Sequence, residues 1–500
     1  MDLDHAACYR AICVRDPRFD GRFFTGVKTT LVYCRPICPA KTPQSENVTF
    51  FPTAAAAHEA GFYPCLRCRP ETAPYMGAWR GTSNSVSRGL ALIELGALDE
   101  VGVDALAGRL GLGERQLRRL FRQHLGASPI AVAQARRVLL AKQLIHETQL
   151  PMSEIAFAAG FGSIRRFNET FSTLFGRAPG ELRDASKPDL PAGPRGEISL
   201  LLPYCPPYDW PATLELLRRR AIAGVEIVTA DRYARSVDLD GSQGTIAVQQ
   251  SDGNALWATV RFPKLSALPT IIARLRRVFD LAADPVAIID HLGKDPALAP
   301  LVKSRPGLRV PGAWDGFELA IRAVVTQEMS VPSARQLIER MVDAYGERLA
   351  EPENGLRLLF PRPEQLTTAD LVSLGMPQNC AAALSAVAVA AISDPHLFDA
   401  TCDFDDALRG LLSIRGIEES TAEDIAFRQL REPDAFAAHD PGLIRAMASQ
   451  EGRDYSPSEF LARANAWRPW RAYAAQHLLA SPRGRAIDEC TSSYRGTERP

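Results

Sequence analysis

Cys34 and Cys38 are separated by three residues, and Cys65 and Cys68 by two. Each pair can pinch one ion, and four cysteines together favour tetrahedral zinc, so the spacing predicts a single zinc ion on these residues. Most such sites are closed and structural. A zinc-bound cysteine is nevertheless a thiolate at neutral pH, so the same set can hold a fold and supply a nucleophile. Asp440 stands farther along, in the run Phe436-Ala437-Ala438-His439-Asp440. An isolated aspartate in such a loop is ordinarily a helix cap or turn residue.

These residues need elements to place them. Five hundred residues imply several domains with ample cores. Formal net charge is zero, so any attraction to nucleic acid must come from local charge. The chain starts without an apolar signal region, and no apolar stretch would span a bilayer. The other cysteines (Cys8, Cys13, Cys205, Cys380, Cys402, Cys490) lack a disulfide-framework spacing. A cytosolic, reducing compartment and no membrane partner are expected. Punctuation by proline, glycine and serine predicts linkers at Ala73–Ser87 and Lys187–Pro194. The expected domains are 1–75, a zinc module; 84–184, helical; 197–283, with strand-like runs such as Gly224–Val228 and Thr245–Val248; and 284–480, helical. Residues 481–500 read as a disordered tail.

The second region holds a duplication. Val103–Ala107, Gly111 and Glu114–Phe121 are echoed by Met152–Ala156, Gly160-Phe161-Gly162-Ser163 and Arg165–Phe171. Each copy reads as a short helix, a tight glycine turn and a second helix. Apolar residues at helical spacing face inward, leaving arginines outside. Exposed arginines alone would suggest only a solvated basic face; two motif copies at this separation favour DNA binding.

The segments Phe23–Thr30, Tyr33–Pro39 and Gly61–Pro70 closely resemble the zinc domain of Ada-type DNA methyl-phosphotriester repair proteins. The resemblance implies that Cys34, itself a ligand, accepts the methyl group. Four thiolates on zinc carry a charge near minus two, and methylation removes one negative charge. The implied consequence is a DNA-affinity switch, with Arg35, Lys41, Arg67 and Arg69 supplying attraction. The duplicated motif, with its ending Phe175-Gly176-Arg177-Ala178-Pro179, matches the paired helix-turn-helix of the AraC family. There the second helix of each unit enters the major groove. Arg115, Arg118, Arg119, Arg165 and Arg166 are then expected to meet phosphates or base edges.

From about residue 200 to 480 the chain looks like AlkA-type 3-methyladenine DNA glycosylases, carried by Pro206–Trp210, Arg220–Glu226, Arg305–Gly312 and Phe317–Gln327. That likeness implies a small antiparallel sheet domain joined to a helix-hairpin-helix domain. The hairpin is Leu411–Ala422, where Gly416 and Glu418 would offer backbone to a DNA phosphate. It makes Asp440 the carboxylate that stabilises the sugar cation as a flipped, alkylated base leaves. Gln327 and Trp470 are assigned to the base pocket, an aromatic face suiting an electron-poor base. No lysine follows Lys303, so a hairpin Schiff-base nucleophile is unavailable and a monofunctional enzyme is expected. A Pro-Cys-His-Arg signature is absent, so direct repair of O6-alkylguanine is not expected.

The hairpin departs from its family. Glu418 replaces a glycine, Ser420 and Asp424 stand where aromatics are common, and Pro441 follows Asp440. The leading expectation is a mainly α, multidomain alkylation-response protein. It would take methyl groups from phosphotriesters, activate transcription, and excise 3-methyladenine and 7-methylguanine. The alternative is a regulator whose glycosylase-like half is weak or inactive. Expected partners are double-stranded DNA and RNA polymerase, in the cytoplasm of a bacterium at its nucleoid.

Overall fold

The computed structural model describes residues 3–74, 84–184, 197–327, 329–399, 404–430, 433–434 and 436–481. Most of the linker read at Ala73–Ser87, all of Lys187–Pro194 and the tail beyond Ser481 lie outside these residues. The chain divides into two compact units. One holds Met1–Cys205, Gln250–Arg276 and Leu281–Ala283; the other holds Pro206–Gln249, Arg277–Asp280 and Asp284–Pro500.

In the first unit, four short strands form one sheet in the order Val48–Phe51, Phe24–Val27, Val32–Cys34, Tyr63–Pro64. The first three pair antiparallel and the last runs parallel to Val32–Cys34. Phe24, Tyr33, Ala57 and Phe62 bury one side of this small sheet. Helix Ala54–Glu59 follows, N-capped by Thr53, whose hydroxyl accepts the Ala56 N–H.

The helical region runs from Asn84 to Asp184. Both duplicated motifs fold as read: Val103–Arg109 then Glu114–Leu125, and Met152–Ala158 then Ile164–Phe175. Gly111 (φ +67°) and Gly160 (φ +90°) make the two corners in the left-handed region. The second helices bury Leu117, Phe121 and Leu125 in one copy and Phe167 and Phe171 in the other. Each buried phenylalanine contributes about 2–3 kcal/mol. The 19-residue helix Pro129–Glu147 links the motifs. Its N-cap, Ser128, is fixed by Glu59, which accepts from the Ser128 N–H (3.0 Å) and hydroxyl (2.7 Å). Strands Glu197–Pro203 and Ala255–Arg261, paired antiparallel, complete this unit's regular strands.

In the second unit, Glu226–Val228, Arg232–Leu239 and Ser242–Gln250 form an antiparallel meander. A second hairpin, Arg348–Glu353 with Leu356–Leu358, sits within a region expected to be helical. Its turn is Asn354-Gly355, both at positive φ, as a two-residue hairpin turn demands. The main core gathers Phe317–Val325, Ala334–Val342, Cys380–Ala388 and the helices flanking the 411–422 hairpin. One buried charge network ties the meander to helix Gly316–Gln327. Arg235 reaches Glu318 at 2.8 Å, and Arg322 bridges Glu318 and Glu226, the latter at 2.6 Å. Burial alone would raise the Glu318 carboxyl; Arg235 and Arg322 overcome that and hold it down to about 2. The far end of this helix is Gln327, which meets the hairpin.

Candidate functional site

The parallel pairing of Val32–Cys34 with Tyr63–Pro64 brings the two cysteine pairs together, and the Cys65 N–H donates to the Tyr33 carbonyl at 3.0 Å. The sulfurs of Cys34, Cys38, Cys65 and Cys68 all lie within 4.8 Å of one another. A zinc tetrahedron with ~2.3 Å bonds has edges of about 3.8 Å, so the donor set fits the ion. Cys65 and Cys68 are buried, whereas Cys34 and Cys38 are partly exposed. Backbone N–H groups donate to three of the sulfurs: Arg67 to Cys65 and Arg35 to Cys68, each at 3.3 Å, and Ala40 to Cys38. Among the described residues, no N–H is directed at the Cys34 sulfur. The hydrogen bond from Cys34 draws the Cys38 thiol down to about 7, while donation to Cys38, Cys65 and Cys68 pushes Cys34 up. Four thiols so crowded ionise together only around a cation. The site holds one zinc ion.

The surrounding arginines differ from expectation. Arg35 points inward, donating Nε to Asp20 at 2.8 Å and Nη1 to Thr72 at 2.6 Å, with a further close contact to Asp20. Arg69 is consumed by Glu71 (3.1 Å) and Glu147 (3.0 Å). Neither is available to a phosphate in this arrangement, leaving Arg67 and Lys41 exposed beside the cluster.

On the recognition helices, Arg115, Arg119, Arg165 and Arg166 are exposed and Arg118 half-buried. Arg118 pairs with Glu114 (2.6 Å) and Arg165 with Glu169 (2.7 Å) one turn away. Such exposed pairs contribute little stability, so a phosphate can recruit either arginine.

In the second unit, helices Phe404–Leu412 and Glu419–Leu430 flank the hairpin. Gly416 has φ +93°, and a Cβ there would lie 2.6 Å from the Ala383 Cβ. Gln327 braces this turn rather than standing free: Nε2 donates to the Gly416 carbonyl and Oε1 accepts the Glu418 N–H, both at 3.4 Å. The Glu418 side chain is exposed. Asp440 N-caps helix Pro441–Glu451, its Oδ1 accepting the Leu443 N–H at 2.9 Å. Its other oxygen accepts no hydrogen bond from the described residues. Asp424, on the hairpin's second helix, lies within electrostatic reach of Asp440. Burial raises its carboxyl; Arg220 opposes the rise, as does Arg428, paired with it at 2.7 Å, and Asp440 adds to it. Trp470 is buried and packs edge-to-face with Tyr473, ring centroids 5.8 Å apart. Sequence reasoning missed Asp20, Glu71 and Lys142, whose partners are distant in the chain.

The fold and sites define a multidomain protein that joins a four-cysteine zinc module, a paired helix-turn-helix and a helix-hairpin-helix half. Comparison with known proteins agrees. Residues 7–71 match the metal-binding domain of Ada, 106–185 a helix-turn-helix domain, and 199–315 the AlkA N-terminal domain. The chain is 40% identical over 481 residues to the probable bifunctional transcriptional activator/DNA repair enzyme AlkA of Mycobacterium tuberculosis, covering 96% of both. It is 33% identical over 282 residues to DNA-3-methyladenine glycosylase 2 of Escherichia coli, covering 55% of this chain and 95% of that one. The structure of the Archaeoglobus fulgidus 3-methyladenine DNA glycosylase aligns with 57% of this chain and 98% of its own, with a TM-score of 0.50 and 19% identity, a likeness of fold. The chain belongs to the family of bifunctional transcriptional activator/DNA repair enzymes of the AlkA type. The fused architecture expected from the sequence is borne out.

Proposed function

We propose that the chain takes methyl groups irreversibly from DNA methyl phosphotriesters onto Cys34, activates transcription when so methylated, and excises alkylated purines as a monofunctional glycosylase. The observation that carries the reading is the kinship over 96% of the chain, which spans every region that the three activities need.

Bound zinc keeps the cysteines as thiolates. Cys34 suits the acceptor role because it is partly exposed and, among the described residues, no backbone N–H is directed at its sulfur. Its sulfur attacks the methyl carbon, the carbon–oxygen bond breaks, and the phosphate leaves as an ordinary diester anion. The product is a thioether with one negative charge fewer, so a phosphate is repelled less. Arg67 and Lys41 then attract it, and the recognition helices bring Arg115, Arg118, Arg119, Arg165 and Arg166 to promoter DNA. Activation implies contact with RNA polymerase, and such work places the protein in the cytoplasm at the nucleoid.

In the second unit the hairpin grips a phosphate near Gly416 while the lesion is flipped. As the base departs with its bonding electrons, positive charge grows on the sugar. The uncommitted oxygen of Asp440 stabilises that charge, and water adds to the sugar to complete hydrolysis. Helix-capping and catalysis are compatible, because the cap uses one carboxylate oxygen and holds the other still. The exposed Glu418, whose N–H is already engaged by Gln327, favours a weaker DNA grip and is the specific support for a regulator with a feeble glycosylase.

Methyl transfer is tested with DNA carrying radiolabelled phosphotriesters. Cys34→Ser is expected to abolish labelling of the protein, and labelled protein from that variant would exclude Cys34 as acceptor.

A further inference from the structure

The zinc ligands are held from outside their own module. Lys142, on the linking helix Pro129–Glu147, has no solvent exposure. Its ammonium donates to the carbonyl of the zinc ligand Cys65 at 3.1 Å and pairs with Glu71 at 2.6 Å. Arg69, adjacent to the ligand Cys68, joins Glu71 to Glu147 at the end of the same helix. Glu147 is fixed in turn by Gln143 (2.8 Å) and the Leu201 N–H (3.1 Å). Two cations and two anions thus bracket the Cys65–Cys68 ligand pair.

Adhesion alone does not account for this arrangement. The two regions already pack through Ala55 and Ala56 against Ala127, Ala131 and Ala135. Burying an ammonium costs several kcal/mol before its partners compensate, and a hydrophobic side chain would glue the surfaces as well. What the lysine adds is a charge and a hydrogen bond directed at a metal-ligand loop.

We propose that Lys142 is a positioning residue of the zinc centre, so that the ligand loop and the helix carrying both DNA-reading motifs form one unit. The inference rests on zinc binding and not on the methyl-transfer reading. Lys142 holds the Cys65 peptide, and with it the direction of that sulfur, while Glu71 moderates its charge. Because coupling is reciprocal, whatever loosens the metal loosens the linking helix.

The test uses the full chain loaded with Co(II), whose thiolate-to-metal charge-transfer band reports the electrostatics at sulfur. Lys142→Gln keeps a hydrogen-bond donor but removes positive charge, and should shift the band to longer wavelength. Glu71→Gln removes negative charge and should shift it to shorter wavelength. Zinc release from Lys142→Gln to a chromogenic chelator should be faster, and affinity lower by roughly 10- to 100-fold, as when other second-layer groups are lost. Bands that stay put, or that move in the same direction in both variants, would mean that the network only packs and would overturn the proposal. If Lys142→Gln does not fold, Glu71→Gln and the doubly neutral variant decide it: a shorter-wavelength shift in the first, largely reversed in the second, supports the coupling. An unchanged band in both refutes it. A folded chain that takes up no cobalt would overturn the zinc assignment itself, and this proposal with it.

Discussion

The two helix-turn-helix corners have the same sequence role but different surroundings, and alanine at each should reveal it. At Gly111 (φ +67°) a Cβ would meet nothing within 4 Å. Gly111→Ala therefore carries the left-handed strain of about 1–2 kcal/mol, partly offset by a stiffer unfolded chain, for a net loss near ~1 kcal/mol. At Gly160 (φ +90°) the added carbon would lie 2.7 Å from the Asp99 Cγ and 3.0 Å from Arg136 Nη2. Asp99 is the shared partner of Arg136 and of Arg137, the latter at 2.7 Å, with side chains 14–16% exposed. Displacing a buried carboxylate from such partners costs about 3–5 kcal/mol, discounted here to ~2–3 for the residual exposure. Gly160→Ala should thus lose ~3–4 kcal/mol in total. The assay is hydrogen exchange by mass spectrometry on peptides spanning 103–125 and 152–175 of the full chain, which reads local opening where a whole-chain melt would mix domains. The expected result is a small deprotection in the first motif for Gly111→Ala and a far larger one in the second for Gly160→Ala. Equal effects would refute the idea that the Asp99 cluster braces the second corner.

Three further outcomes follow from the same geometry. Arg119→Ala and Arg166→Ala should each weaken DNA binding and reduce the slope of log affinity against log salt by about one, measured by titration at several salt concentrations. His477 is buried, and that burial, with Arg305 nearby, lowers its pKa from 6.5 to about 4. The unfolded state then takes up the proton first, so stability is intact above pH 6.5 and declines as pH falls toward 4, by up to ~3 kcal/mol, as denaturant titrations across that range should show. His477→Gln should flatten that dependence. Cys68→Ser should lose zinc, by metal analysis of the purified chain, because it removes one of the two buried ligands.

The cysteine spacing and the duplicated motif were legible because each signal is local: the cysteines of each pair lie three or four positions apart, and Gly111 and Gly160 mark their own corners. Arg35 and Arg69 were misread as DNA-facing because nothing near them in sequence announces Asp20 or Glu147, which lie 15 and 78 residues away. Lys142 carries no local signal, since its partners Glu71 and Cys65 lie 71 and 77 residues away. The hairpin at 348–358 was missed although Asn354-Gly355 carried its signal, because the helical pattern on either side dominated. Asp440 shows a limit of a different kind: the N-cap it forms and the catalytic role proposed for it would demand the same residue at the same place.

The measurement that bears most directly on a chain uniting damage sensing with base removal is release of alkylated bases from methylated duplex DNA, with Asp440→Asn as control. Free 3-methyladenine or 7-methylguanine is expected from the wild-type chain, and release should collapse in the variant with zinc content and DNA binding unchanged. A folded, DNA-binding wild-type chain that releases neither base would contradict that expectation and leave a self-methylating regulator with a glycosylase-shaped platform.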